Sequence, residues 1–326
     1  MAVYTEITAT EAQDLLHRLD LGELRSLEGC KGGIENTNYF VSTDKSDYVL
    51  TVFERLSFEQ LPYYLHLMQH LAKQGIPVPD PAPDASGALL HSLQAKPACV
   101  VNKLRGKSEL SPQSSHCQQV GKMLARMHIA GKDYAHEQPN LRSLPWWNDT
   151  VPAILPHLNE GQKALLLGEL AYQNHVFVSS AYAALPCGPI HADLFRDNVM
   201  FEDGKLSGFF DFYFAGNDKW LFDLAVALND WCLNQESSKP SGSGDLFNAQ
   251  HESQFIAAYE TVRRLNAAER QLLPAMLRAA ALRFWISRLW DFYLPRQASL
   301  LKAHDPAHFE RVLRQRAFAP MRISAA

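Results

Sequence analysis

Two hydrophobic rhythms divide this chain. Thr8 followed by Glu11 spells a helix-capping box, and Leu15, Leu16 and Leu19 recur at helical spacing, so a short amphipathic helix is expected first. The stretch "SLEGCKGGIENTNYFVSTDKSDYVLTVFER" then alternates apolar β-formers with turn residues. It predicts a Gly-rich turn at 29–33, strands near 39–42 and 48–53, and a β-meander. A helical pattern over 57–74 ends at Gly75 and the proline-studded "IPVPDPAPD", and further strands are expected in "GALLHSL" and "ACVVNKL". From Ser111 onward helices dominate, most clearly in "SHCQQVGKMLARMHIAG", where Val120, Leu124, Met127 and His128 share one side. The change of texture near "RGKSELSP" predicts two lobes: strands plus one helix over 1–104, and a larger, mainly helical lobe over 105–326. The Ser-, Gly- and Pro-rich stretch 236–245 reads as a loop of the second lobe.

Composition narrows the function classes. With 47% hydrophobic and 20% charged residues, the chain of 326 residues has the make-up of a globular protein with a packed core. A net charge of −4 and the lack of any Lys/Arg-dominated stretch argue against nucleic acid as a partner. The cysteines (Cys30, Cys99, Cys117, Cys187, Cys232) are odd in number and form no CxxC pair, so free thiols are expected rather than disulfides or structural zinc. The N-terminus shows no basic region followed by an apolar run, and "MLRAAALRFWISRLW" is interrupted by Arg278, Arg283 and Arg288. The expectation is a cytoplasmic protein without membrane spans, monomer or homodimer.

The densest chemistry lies in "HADLFRDNVMFEDGKLSGFFDFYFAG", residues 191–216. Asp203-Gly204 between apolar runs predicts a hairpin with a type I′ turn. A regular register would place Glu202 opposite Lys205, Asn198 opposite Phe209 and Arg196 opposite Asp211. Asn198 and Asp211 would then be diagonal neighbours on one face, spaced for a shared divalent ion with oxygen ligands, and Asp193 would face the far side of that metal. One carboxylate and one amide suit Mg²⁺, which keeps waters and takes substrate phosphates, so a phosphate-bearing ligand is expected.

The order His-x-Asp-x-x-x-x-Asn, hairpin, Asp-Phe resembles the catalytic loop and metal-binding aspartate of the protein-kinase-like fold, in the branch of aminoglycoside and choline phosphotransferases. More narrowly, "GGIENTNYFV", "YVLTVFE", "VVNKLRGK", "IHADLFRDNV", "FFDFYFAGNDKWLFDLAVALNDWC" and "LRFWISRLWDFY" are similar, in this order, to the bacterial homoserine kinases of that branch.

The resemblance implies an α+β, two-lobed fold with a small antiparallel sheet and a larger helical lobe. It also implies transfer of the ATP γ-phosphoryl group to L-homoserine. Asp193 would orient the hydroxyl and accept its proton, and Asn198 and Asp211 would hold Mg²⁺. His191 would brace the loop. Arg196 either neutralises the transferring group or pairs with Asp197 or Asp211 as scaffolding. Asp223 would cap a helix or brace the loop. Gly33, Asn36 and Asn38 would approach the nucleotide phosphates, and the backbone from Asn102 to Leu104 would meet the adenine. The strand "YVLTVFE" departs from the pattern: Thr51 stands where a phosphate-holding lysine belongs. Lys31 or Arg55 is a candidate replacement, with Glu59 as partner carboxylate.

An amino-acid acceptor carries a carboxylate and an ammonium group, so its pocket needs a cation near Asp193. Arg283 and Arg288 sit five apart on one expected helix, which predicts that only one faces the cleft. Arg288 is the chosen candidate for substrate contact, with a structural ion pair to Asp291 as the competing reading. The aromatic set Trp146, Trp147, Trp285, Trp290, Phe292 and Tyr293 reads as core packing or, alternatively, as a choline-like cation pocket.

Overall fold

In the computed structural model, which describes residues 4–30, 36–234, 244–294, 304–319 and 321, the expected capping box opens helix α1 (Ala9–Arg18). Glu11 N–H donates to Thr8 Oγ1 at 3.2 Å, and Thr8 N–H donates to Glu11 Oε2 at 2.8 Å. Strand β1 (Leu24–Gly29) follows, then β2 (Asn36–Thr43) and β3 (Asp47–Phe53). β1 was not among the expected strands because its sequence LRSLEG buries no residue fully and shows no two-residue alternation to read.

Helix α2 (Pro62–Lys73) starts five residues later than the pattern suggested. Residues 57–61 form a turn in which Ser57 O accepts from the backbone of both Gln60 and Leu61. The helix begins where Pro62, which has no N–H to leave unpaired, fits the first turn. Strands β4 (His91–Leu93) and β5 (Lys96–Asn102) complete an antiparallel sheet in the order β1-β2-β3-β5-β4.

Alternation along these strands splits the sheet between two cores. Tyr39, Val41, Leu50, Val52, Ala98 and Val100 pack with α1. Phe53, Cys99 and Val101 point the other way and join α2 and the main core.

The chain changes sheets between Asn102 and Lys107: β6 (Lys107–Ser108) pairs with β8 (Val199–Glu202), not with β5. The helices α3 (Ser114–Ala130), α4 (Leu144–Ile154), α5 (Glu160–Phe177) and α6 (Ser180–Ala183) come between, followed by β7 (Cys187–Ile190). As the pattern required, Val120, Leu124, Met127 and His128 of α3 are all buried. After β8 come β9 (Lys205–Phe209), β10 (Gly216–Lys219) and α7 (Trp220–Trp231). The fold closes with α8 (Ala249–Glu260), α9 (Ala267–Tyr293) and α10 (Ala307–Phe318). β7 pairs with β10, and β6-β8-β9 form a three-stranded sheet. Most of the expected loop at 236–245 falls at 235–243, outside the described residues.

All five cysteines are free thiols, and no described helix is long and apolar enough to cross a membrane. Trp147 and Trp285 are core residues. Trp146 lies under Arg142 at 4.5 Å and Tyr293 stacks on His157 at 5.2 Å, so these rings pack against side chains instead of forming an aromatic cage.

The hairpin β8–β9 docks tightly on the connection between the sheets. A Cβ added at Gly208 would lie 2.8 Å from Pro77 O and 2.7 Å from the Leu104 side chain. Gly208→Ala is expected to lower unfolding stability by about 1–3 kcal/mol through overpacking, measured by urea denaturation. A change below about 0.5 kcal/mol would show that this contact is loose.

Candidate active site

The turn forms as its residues demand, with positive φ at both Asp203 (49°) and Gly204 (73°). Glu202 faces Lys205 and Phe201 faces Leu206. Beyond that point Met200 faces Gly208 and Val199 faces Phe209, because Ser207 is an extra residue on β9. The bulge is tied down where Ser207 Oγ donates to Arg105 O at 2.6 Å.

The expected register is therefore wrong by one residue from Met200 inward. Asn198 does not oppose Phe209; its carbonyl accepts from Phe210 N–H at 3.0 Å, and it lies in a 3-10 turn outside the strand. Strand parity does not bring the polar groups together. Two other features do: Asp211 adopts a left-handed conformation (φ 66°, ψ 58°) that breaks the alternation, and Asn198 folds back onto the loop. Asn198 Nδ2 donates to Asp193 O at 2.8 Å and to Asp193 Oδ2 at 3.3 Å, while the charge of Asp211 raises the pKa of Asp193.

Helix α7 sets the loop's shape. Asp223 and Asp230 are seven residues apart, two turns on one face, and each holds part of the loop. The buried Asp223 carboxylate accepts from His191 N–H at 2.9 Å, Ala192 N–H at 2.8 Å and His128 Nε2 at 3.1 Å. Burial alone would raise its pKa, yet these bonds hold it below the usual carboxylate range. They also maintain Ala192 at φ 63°, a costly conformation for a residue with a Cβ. His191 braces the loop as expected: burial lowers its pKa, and Nε2 meets Phe210 O at 2.8 Å.

Asp230 resolves the role of Arg196. Arg196 Nε and Nη2 donate to Asp230 at 3.0 and 3.1 Å, Nη1 donates to Leu110 O at 3.1 Å, and Arg196 N–H also donates to Asp230 at 2.8 Å. Of the two readings of Arg196, the scaffolding one matches these bonds, although the partner is Asp230 instead of Asp197 or Asp211. The planar fork is occupied by a bidentate carboxylate.

Asp193 keeps 17% side-chain exposure. Burial, with the charges of Asp211 and Asp197 adding to it, pushes its pKa up to about 7 against the pull of Arg283 and Arg288. Arg283 Nη1 is 4.0 Å from Asp193 Oδ1, and burial pulls its pKa down to about 10, still charged at neutral pH. Of the two arginines, Arg283 is the one with a contact to Asp193, while Arg288 acts on it through its charge. No ion pair within 4.0 Å joins Arg288 to Asp291, both described, but the charges of Asp193 and Asp291 both oppose the fall that burial imposes on the Arg288 pKa.

On the opposite side, Thr51 is buried, and its hydroxyl donates to Asn38 Oδ1 at 2.7 Å. Asn36 and Asn38 lie on β2 opposite Phe53 and Thr51. Gly33 and Lys31 lie outside the described residues, while Arg55 and Glu59 are exposed beyond the end of β3. Asn102 Oδ1 accepts from Asp80 N–H at 2.6 Å, and Lys103 N–H donates to Asp47 O at 3.0 Å. Of the expected adenine contacts, the Leu104 backbone is the one without such a bond among the described residues.

The donor chemistry suits a hard cation. Two hydrogen bonds fix the Asn198 amide nitrogen on Asp193, and an amide oxygen together with a carboxylate is a donor set that hard cations accept.

A model of the phosphotransferase enzyme family matches residues 26–265. The homoserine kinase of Polaromonas naphthalenivorans is 62% identical over 320 residues, covering 98% of this chain and 99% of that one. The homoserine kinase of Burkholderia ambifaria is 53% identical over 324 residues, covering 97% and 96%. Among solved structures, an amicoumacin kinase bound to AMP-PNP and Ca²⁺ superposes with a TM-score of 0.68 at 18% identity, covering 93% of this chain and 92% of that one. A spectinomycin phosphotransferase bound to ADP and spectinomycin gives 0.64 at 14%, covering 97% and 99%. Both carry the protein-kinase-like fold expected from the sequence.

Asp223→Ala should leave three buried donors without their acceptor. A loss of about 3–5 kcal/mol in denaturant unfolding is expected, with hydrogen exchange at the His191 and Ala192 amides accelerated well beyond that at the β2 amides. Unchanged exchange at both positions would show that the loop holds its shape without this carboxylate.

Proposed function

The chain belongs to the phosphotransferase enzyme family, and we propose that it transfers the γ-phosphoryl group of ATP to the hydroxyl of L-homoserine, giving O-phospho-L-homoserine, a step of threonine biosynthesis. The acceptor reading is supported by full-length relatives of this name at 52–62% identity. The single observation that carries the chemistry is the loop itself. Asp193 is presented at the surface of a loop fixed from behind by Asp223 and Asp230 and from the side by Asn198.

In this reading Asp193 orients the acceptor hydroxyl and takes its proton as the bond to phosphorus forms, and a pKa near 7 suits that task. Asn198 and Asp211 would hold Mg²⁺, whose charge offsets that of the phosphate oxygens when bound. Gly33, Asn36 and Asn38 would line the phosphate end of the nucleotide, and the Leu104 backbone would meet the adenine. Arg288 would belong to the acceptor side. Because phosphoryl transfer depends mainly on positioning and charge compensation, ordinary carboxylates suffice.

A cationic acceptor such as choline or an aminoglycoside fits less well. Trp146, Trp147, Trp285 and Tyr293 are engaged by packing, and the positive charges of Arg283 and Arg288 acting at Asp193 would oppose a purely cationic head group. The cytoplasm is the proposed setting, in keeping with five free thiols.

Purified protein with ATP, Mg²⁺ and L-homoserine should release ADP in proportion to phosphohomoserine, and a chelator should stop it. Asp193→Asn is expected to cut kcat by at least about 100-fold while ATP binding, followed by calorimetry, stays largely intact. Preference for an aminoglycoside or choline over homoserine would refute the acceptor. Unchanged turnover in the variant would refute the role of Asp193.

A further inference from the structure

Four arginines with half-buried or buried side chains each meet a carboxylate. Arg278 meets Glu169 at 2.6 Å, Arg316 meets Glu252 at 2.6 Å, Arg263 meets Glu269 at 2.5 Å and Arg196 meets Asp230 at 3.0 Å. Arg283 is different. It is 4% exposed, its Nε is buried without a partner, and its guanidinium makes no hydrogen bond to any described residue. Its closest carboxylate is Asp193, at 4.0 Å, beyond hydrogen-bond reach. The guanidinium lies over the Phe284 ring at 3.8 Å and the Phe214 ring at 5.1 Å, which fixes its plane.

A buried guanidinium with unused donors is costly unless something bonds to it. The fork faces the acidic loop residue that meets the acceptor hydroxyl, so the missing group is an anion carried by the acceptor. A planar, two-oxygen anion matches the fork.

We infer that Arg283 receives the carboxylate of the acceptor and so selects a hydroxy acid over a neutral or cationic alcohol. The inference deepens the proposed function and rests on Asp193 facing the acceptor hydroxyl. A short carbon chain then bridges the two: hydroxyl at Asp193, carboxylate at Arg283. Arg288, farther along α9, adds positive potential to the same region without a hydrogen bond to a described residue.

The test compares L-homoserine with 3-aminopropan-1-ol, which keeps the hydroxyl and the amine and lacks the carboxylate. Wild-type protein should strongly prefer homoserine. Arg283→Met should lower kcat/KM for homoserine by about 100-fold, and Arg283→Lys, which keeps the charge and loses the fork, by roughly tenfold. Any effect that reaches Asp193 itself is common to both acceptors, so the loss should be far larger for homoserine than for aminopropanol and the ratio between the acceptors should collapse. Equal proportional losses on both acceptors would instead put Arg283 on the transferring phosphoryl group and overturn the inference, as would a wild-type protein indifferent to the carboxylate. Wild-type protein inactive with homoserine overturns the underlying reading, and this one with it, before any variant is made. Thermal unfolding checks each variant; if the Met variant does not fold, the Lys variant decides on the same ratio.

Discussion

The active loop depends on one buried carboxylate. Asp223 accepts from two consecutive backbone N–H groups, at His191 and Ala192, and from His128 behind it. Consecutive amides point to the same acceptor only if the backbone turns sharply between them, and Ala192 has the positive φ this requires. The strain is local, and the compensation is charge-assisted hydrogen bonding in a dry interior. His128 is held in turn by the Tyr259 hydroxyl at 2.7 Å, and that hydroxyl accepts from Arg263 Nε at 2.9 Å, so the brace continues into α8 and the turn that follows it. Every group in this chain has a partner, which keeps a buried polar network from becoming a liability.

Helix α7 acts at both ends of the loop because of its period. Asp223 fixes the entry and Asp230 the exit through Arg196, while Trp231 Nε1 donates to Leu194 O at 3.0 Å between them. The loop is gripped three times by one rigid element, so the Asp193 side chain need not be held by its own contacts. That suits the role proposed for Asp193, since a carboxylate consumed by structural bonds has no oxygen left for chemistry.

Much of this was legible in the sequence, and the failures have physical causes. Two-residue alternation gave β2 and β3, the capping box gave α1, and Asp203-Gly204 gave the turn. The order of Asp193, Asn198 and Asp211 pointed to the loop. The route from pattern to geometry failed, because a bulge at Ser207 and a left-handed Asp211 both break strand parity. Neither is encoded by periodicity: the bulge is selected by contacts with Arg105, Pro77 and Leu104, all distant in sequence. The pairing of Arg196 was also invisible along the strand. The spacing of Asp223 and Asp230 on α7 was the available signal, and it requires knowing that the helix packs against the loop.

The two arginines of α9, five residues apart, leave the axis in different directions. Their environments differ accordingly. Arg283 is locked between aromatic rings and desolvated, whereas Arg288 is partly exposed and acts on Asp193 through its field. A desolvated, oriented fork discriminates between ligand shapes, while a solvated charge mainly raises the local potential. In the proposed function the loop serves the phosphoryl-transfer chemistry, and the choice of acceptor would then depend on what α9 presents beside Asp193.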